Sequence, residues 1–174
     1  MGPEAKRQTN QFKLHEAKDG ETFNIGSVRL QVVHTPGHTL ESSCFLLSDK
    51  EGKEIALFTG DTVFLGEVGR PDLAASENKL TKEDLAGLLF DSIQKLKQYI
   101  DDIRVYPGHG AGSACGKSIG GGDFCTLGQQ KKNNYGFVFQ SKEEFVKEVT
   151  NIGNPPKYFF HDAALNQQGP KDYS

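Results

Sequence analysis

Residues 55–62 of this 174-residue chain have the sequence IALFTGDT, a short apolar run that ends at Gly60 and places Asp61 directly behind it. A compact apolar run bounded by a turn residue is typical of a buried strand. Asp61 should therefore stand at the C-terminal end of that strand.

The same design occurs twice more along the chain. Residues 28–39 (VRLQVVHTPGHT) alternate apolar and polar side chains, turn at a Pro-Gly pair and continue into His38. Residues 103–110 (IRVYPGHG) form a short apolar run, turn at a second Pro-Gly pair and continue into His109. Three predicted strands are thus each followed by a side chain that can bind a metal.

Imidazole nitrogens and carboxylate oxygens suit Zn²⁺ and Fe²⁺, and two histidines with one carboxylate are the ligand set of non-haem Fe(II) oxygen chemistry. Taken singly, a histidine after Pro-Gly can be a turn residue bonded to backbone, and Asp61 can be a turn cap. Because the ends of strands in one sheet meet in space, the three positions together favour a metal site formed by His38, Asp61 and His109. We expect His38 and Asp61 to lie at the C-terminal ends of adjacent strands, within reach of one shared ion. We interpret His15, His34 and His161 as structural, since they lack this context.

The remaining pattern predicts an α+β fold. Residues 44–47 and 55–58 should pair as a hairpin around the turn at 49–52, and residues 28–33 and 103–106 should form two further strands. Two capping pairs, Thr81 with Asp84 and Ser141 with Glu144, predict a helix over residues 82–99 and a shorter one after Ser141.

Composition excludes several classes of protein. With 36% hydrophobic and 25% charged residues and a net charge of −3, the chain has enough apolar content to fold and no basic block for nucleic acid. Its apolar runs are far shorter than a membrane span. The three cysteines do not have the spacing of a zinc ribbon, and the sequence shows no signal peptide, so we predict a cytoplasmic protein.

Many of the 20 glycines lie in residues 108–128, which we expect to form a functional or mobile loop.

The three motifs and their order resemble the second half of a metallo-β-lactamase-fold protein of the glyoxalase II branch. Residues 60–73 (GDTVFLGEVGRPDL) and 110–117 (GAGSACGK) resemble, more narrowly, the bacterial persulfide dioxygenases, which are often fused to rhodanese domains. The resemblance covers residues 2–166.

The resemblance implies roles for individual residues. His38 and Asp61 match two of the family's three iron ligands, and His109 matches a second-metal ligand or a residue that supports the metal site. Arg70 matches an arginine near a glutathione-like substrate, although it can equally brace its own loop. Tyr106 matches a tyrosine near the metal, with core packing as the alternative. Cys115 is a sulfur acceptor or, more simply, a small buried thiol.

The family's first iron ligand comes from an early His-x-His-x-Asp-His motif, and this chain contains no His-x-His. We therefore expect the second half of an αββα sandwich that lacks its N-terminal half. Residues 1–22 would be a lead-in, 23–154 the half-domain, and 155–174 a tail or linker. The missing half is then an expected partner, and the isolated chain is expected to be inactive and prone to form a homodimer.

Three functions follow from these observations. The parent protein would be an Fe(II)-dependent persulfide dioxygenase that oxidises glutathione persulfide or another thiol persulfide to sulfite. The alternative is a zinc-dependent thioester hydrolase resembling glyoxalase II, in which two metals share Asp61. A third interpretation is a non-catalytic, truncated or binding module.

Overall fold

The computed structural model describes residues 2–3, 15–73, 80–110 and 124–153. Within these ranges the chain forms a mixed α+β fold of eight strands and four helices. The strands are β1 (Thr22–Ile25), β2 (Val28–His34), β3 (Ser43–Ser48), β4 (Glu54–Gly60), β5 (Val63–Phe64), β6 (Glu67–Val68), β7 (Arg104–Pro107) and β8 (Cys125–Thr126). The helices are α1 (Lys82–Leu96), α2 (Leu127–Asn133), α3 (Tyr135–Val138) and α4 (Lys142–Val149).

Six strands form one sheet in the order β1-β2-β3-β4-β7-β8, and β5 pairs with β6 as a separate hairpin. The predicted pairing of β3 with β4 is confirmed as antiparallel, and β4 pairs with β7 in parallel. Since β2 and β4 are each antiparallel to β3, the strands β2, β4 and β7 all run in one direction. Their C-terminal ends, and the three motif loops that follow them, therefore lie at one edge of the sheet.

Helix α1 shares a hydrophobic core with one face of this sheet. The capping box predicted at its start is present, with the Thr81 hydroxyl accepting from the Asp84 amide and the Asp84 carboxylate accepting from the Thr81 amide. Five of the buried helix residues belong to one cluster with Cys44, Leu57 and Val105 of the sheet. In full, α1 contributes Ala86, Leu89, Phe90, Ile93 and Leu96 to that cluster.

The opposite sheet face is also apolar. Phe45, Phe58 and Tyr106 occupy neighbouring register positions on β3, β4 and β7, and Phe58 is 40% exposed. A cavity of about 520 Å³ opens on this face beside Leu47, Phe58 and Tyr106. Apolar side chains on both faces of a strand are typical of a sheet that is covered on both sides.

Several boundaries differ from the sequence predictions. Helix α1 ends at Leu96 rather than at residue 99, because the Tyr99 amide bonds the Leu96 carbonyl in a tighter turn. Strand β7 lies one residue later than predicted, and β2, β3 and β4 are longer than predicted by one, two and three residues, respectively. Such shifts are usual at element ends.

The glycine-rich stretch is not a loop throughout. Residues 125–128 form β8 and the first turn of α2, because Thr126 caps that helix in a capping box with Gln129. Residues 111–123, with Cys115, and residues 154–174, with His161, lie outside the described residues. No helix in the described ranges is long and apolar enough to cross a membrane.

Candidate metal centre

Asp61 lies at the centre of the three motif loops. It follows the last residue of β4, and its side chain is 31% exposed, so its carboxylate lies at the rim of the sheet. The backbone of Gly69 passes directly over it. A Cβ on Gly69 would overlap the Asp61 carbonyl oxygen and lie 3.0 Å from the Cβ of His38, so only glycine allows this approach.

His38 is buried, and a hydrogen bond on the Nδ1 side of its ring fixes its orientation. Its Nδ1 lies 2.9 Å from the carbonyl oxygen of Arg70, and a carbonyl can only accept, so Nδ1 carries the proton. Its Nε2 lies 3.5 Å from Asp61 Oδ2. Burial lowers the pKa of His38, although Asp61 and the Arg70 carbonyl oppose this shift. The neutral ring therefore turns the lone pair of Nε2 toward Asp61.

His109 approaches the same carboxylate from the β7 side. Its Nε2 lies 3.4 Å from Asp61 Oδ1, and its ring packs on Phe64 with the ring centroids 4.6 Å apart. About a third of the His109 side chain is exposed. Each oxygen of Asp61 thus faces a different histidine.

The donor atoms fit a divalent cation. In the His38 pair, an unprotonated imidazole nitrogen faces a carboxylate oxygen. Both atoms are electron-pair donors that repel each other, so a cation bound between them would stabilise the pair. Two ligand atoms at ~2.0–2.1 Å from a tetrahedral ion lie about 3.4 Å apart. The observed separations of 3.5 Å and 3.4 Å match that spacing.

Within the described residues, no group of three or more His, Cys, Asp or Glu is arranged to enclose one ion. The arrangement is instead two His–Asp pairs that share Asp61. Each pair offers an ion two protein ligands, which is fewer than the three or four protein ligands of zinc sites. The role of all three residues as metal ligands stays a prediction.

A buried hydroxyl pair joins the loops that carry His38 and Asp61. Thr35 Oγ1 lies 2.9 Å from Thr62 Oγ1, and both residues are at most 1% exposed. Thr35 Oγ1 also lies 3.4 Å from the sulfur of Cys44. Sequence reasoning missed this link, although each threonine stands beside a metal motif.

We expect Thr35→Val to lower the free energy of unfolding by about 1–3 kcal/mol, because it removes the hydroxyl that bonds the buried Thr62 hydroxyl. Thr35→Ser keeps the hydroxyl and is the control. Replacing Thr35 and Thr62 together by valine should cost less than the sum of the single changes. Denaturant titration measures these differences, and additive effects would show that the hydroxyls do not interact.

Arg70 and Tyr106 are held by neighbouring residues. The Arg70 guanidinium forks onto Asp72 through two hydrogen bonds of 2.8 Å and donates to the Gly153 carbonyl at 2.6 Å. These contacts match the interpretation in which Arg70 braces its own loop. The Tyr106 ring stacks on Phe58 with its centroid 5.5 Å away, which is the packing interpretation. Their roles toward substrate stay predictions.

The other described histidines have structural contacts. His34 Nε2 lies 2.7 Å from the Leu40 carbonyl, and His15 pairs with Glu21 at 2.7 Å. The interpretation of His34 as a strand residue agrees with its place at the end of β2.

Comparison with known protein families gives one match by family model. The model described as the metallo-beta-lactamase superfamily matches residues 2–109, a range that ends at the third motif histidine.

Two curated proteins illustrate the relatives. The chain is 37% identical over 130 residues to the probable polyketide biosynthesis zinc-dependent hydrolase BaeB of Bacillus velezensis, covering 74% of this chain and 48% of that protein. It is 35% identical over 92 residues to a hydroxyacylglutathione hydrolase of Francisella tularensis subsp. novicida, covering 53% of this chain and 32% of that protein. The chain spans about half the length of the curated relatives, or less.

Two crystal structures have the same fold over most of this chain. A metallo-beta-lactamase from Staphylococcus aureus superposes with a TM-score of 0.81 at 37% identity, covering 92% of this chain and 46% of that one. ETHE1 from Myxococcus xanthus superposes with a TM-score of 0.67 at 26% identity, covering 87% and 59%.

Proposed function

The chain belongs to the metallo-beta-lactamase superfamily, and we propose that it supplies part of the active site of a divalent-metal hydrolase that acts on thioesters. The observation that carries this proposal is the position of Asp61. Its two oxygens face two different histidines at 3.5 Å and 3.4 Å. A carboxylate placed in this way suits a bridge between two metal ions.

The relatives support hydrolysis. One is named a zinc-dependent hydrolase and another a hydroxyacylglutathione hydrolase, and both are at least 35% identical over the matched residues. We extend this to a thioester of a small thiol such as glutathione as the substrate, with zinc as the metal. The histidine and carboxylate donors of the site suit zinc.

In this proposal His38 and Asp61 would hold one ion, and His109 and Asp61 would hold the other. When bound, a divalent metal polarises the substrate carbonyl and lowers the pKa of water. The Arg70 carbonyl keeps the Nε2 of His38 unprotonated and directed at the site. Thr35 and Thr62 fix the spacing of the two loops.

We propose that the remaining ligands come from a complementary half of the protein that lies outside this sequence. Two observations support this. The site has only two His–Asp pairs among the described residues, and the sheet face around Phe58 and Tyr106 is apolar yet partly exposed. A second sheet packed on that face would bury it. Without that half, we expect the chain to bind metal weakly and to lack activity.

A persulfide dioxygenase is the second candidate. Two observations favour it: the GDTVFLGEVGRPDL sequence of residues 60–73 and the superposition on ETHE1. In that case one iron would use His38 and Asp61, and His109 would not be a ligand. The number of metal ions per protein therefore separates the two candidates.

The test combines this chain with the part of the S. aureus metallo-beta-lactamase that it does not match, which stands in for the complementary half. The hydrolase proposal expects two metal ions per complex, hydrolysis of an acylglutathione thioester, and loss of one ion in His109→Ala. One iron per complex, together with oxygen consumption on glutathione persulfide, would favour the dioxygenase. A folded complex with neither activity and no bound metal would leave the non-catalytic interpretation. His34→Ala is the matched control, because His34 bonds the Leu40 carbonyl rather than Asp61.

A further inference from the structure

Asn134 is a fully buried polar residue between α2 and α3, beyond the residues that the family model matches. Its side-chain amide donates to the carbonyl oxygens of Phe64 at 3.2 Å and Glu67 at 2.7 Å. These two residues are paired across the β5–β6 hairpin. One amide group therefore ties both ends of the hairpin turn.

Helix α2 adds a second side chain, Gln130, to these contacts with the hairpin. The side-chain oxygen of Gln130 shares the two N–H donors of the Asn134 amide with those carbonyls and, at 3.3 Å, accepts from the Gly66 amide at the tip of the hairpin. The Asn134 side-chain oxygen in turn accepts from the Gly136 amide at 3.0 Å and caps α3. Each strand of the hairpin has only two residues, so few backbone hydrogen bonds hold it. The side chains of Asn134 and Gln130 therefore contribute much of what keeps the hairpin in place.

The hairpin reaches the candidate metal centre through Phe64. That ring is fully buried and packs on the His109 imidazole with the centroids 4.6 Å apart and the planes at 31°. The hairpin also starts two residues after Asp61. A shift of the Phe64 backbone would therefore act on His109 through a direct ring contact. His38 is reached only by a longer path, from Glu67 along the chain to the Arg70 carbonyl, so the effect on His38 should be smaller.

We propose that Asn134 is a positioning residue that sets the orientation of His109 through the β5–β6 hairpin and Phe64. The part of this inference that concerns metal binding rests on the proposed function, whereas the placement of the imidazole does not. Outer partners of metal ligands commonly change metal affinity by ~10–100-fold. Asn134 acts one contact further out, through Phe64, so the expected effect on His109 is at the lower end of that range, about tenfold.

The experiment compares Asn134→Ala with Asn133→Ala in the full chain. Asn133 is the preceding residue, has the same chemistry and is exposed, so it is the matched control. The readouts are the imidazole carbon–proton resonances of His109 and His38 by NMR, first without metal and then during a Zn²⁺ titration. Thermal unfolding is recorded for each variant.

We expect Asn134→Ala to shift the His109 resonances, because the ring current of Phe64 acts on them at this distance, and to leave those of His38 near their original positions. The Zn²⁺ concentration that half-saturates the His109 response should rise about tenfold. Asn133→Ala should change neither resonance.

Equal changes at both histidines, or no change at His109, would overturn the proposal, since a merely structural residue would affect both pairs or neither. A His109 shift without metal, combined with no Zn²⁺ response in the wild-type chain even when the complementary half is added, would support the positioning role and count against the proposed function. Should Asn134→Ala fail to fold, Gln130→Ala removes the bond to Gly66 at the tip of the hairpin and one acceptor of the Asn134 amide, and the same selective change at His109 is expected.

Discussion

Replacing Asp61 with asparagine is expected to reduce turnover of the complex with the complementary half by about 10³-fold. Asparagine keeps the shape of the side chain but removes the charge that both histidine pairs share. Metal ions supply several kcal/mol of transition-state stabilisation, and each ~1.4 kcal/mol is a factor of ten in rate. Losing both ions through one substitution therefore has a larger effect than losing the His109 pair alone.

The measurement is the rate of thioester hydrolysis together with metal content after dialysis. Asp91→Asn is the control, because Asp91 is an exposed aspartate of α1 that pairs with Lys142 on the surface, where ion pairs contribute at most ~1 kcal/mol. Retention of two metal ions and of near-normal turnover by Asp61→Asn would contradict the bridging role and the site built on it.

The loops of the candidate centre could be predicted because their signal is local. A strand followed by Gly or Pro and then by His or Asp is visible in the sequence, and the parallel direction of β2, β4 and β7 brings the three loops to one edge. The prediction of adjacent strands for His38 and Asp61 was wrong, since β3 lies between β2 and β4. The loops bridge that gap through Thr35 and Thr62.

What could not be predicted depends on long-range contacts. The Arg70 carbonyl that orients His38 is a backbone group, which every residue carries, so no sequence pattern marks it. Asn134 lies 70 positions from Phe64 along the chain, and only the folded chain brings its amide to the hairpin. By contrast, the capping box of Thr126 and Gln129 was visible in the sequence and was missed inside the glycine-rich stretch.

Leu89→Ala is expected to lower the free energy of unfolding by about 2–5 kcal/mol, the range for a fully buried leucine whose removal leaves a cavity. Leu89 is 0% exposed and belongs to the core cluster that joins α1 to the sheet. The contact continues to the candidate centre. Gly37, at φ +145°, passes so close to α1 that a Cβ there would lie 2.5 Å from the Leu89 Cα. Helix α1 therefore packs directly against the loop that carries His38.

Leu88→Ala is the matched control for this prediction. Leu88 is the preceding leucine of the same helix, is only half-buried and is not a member of the core cluster, so its truncation should cost less than that of Leu89. Urea titration of both variants gives the two free energies, and unchanged denaturant slopes would show that the native state keeps its extent of burial. A loss below about 0.5 kcal/mol for Leu89→Ala is the size of a surface substitution. It would mean that α1 is peripheral, and the His38 loop would then have to be held by contacts outside α1, such as the Thr35–Thr62 pair and the Arg70 carbonyl.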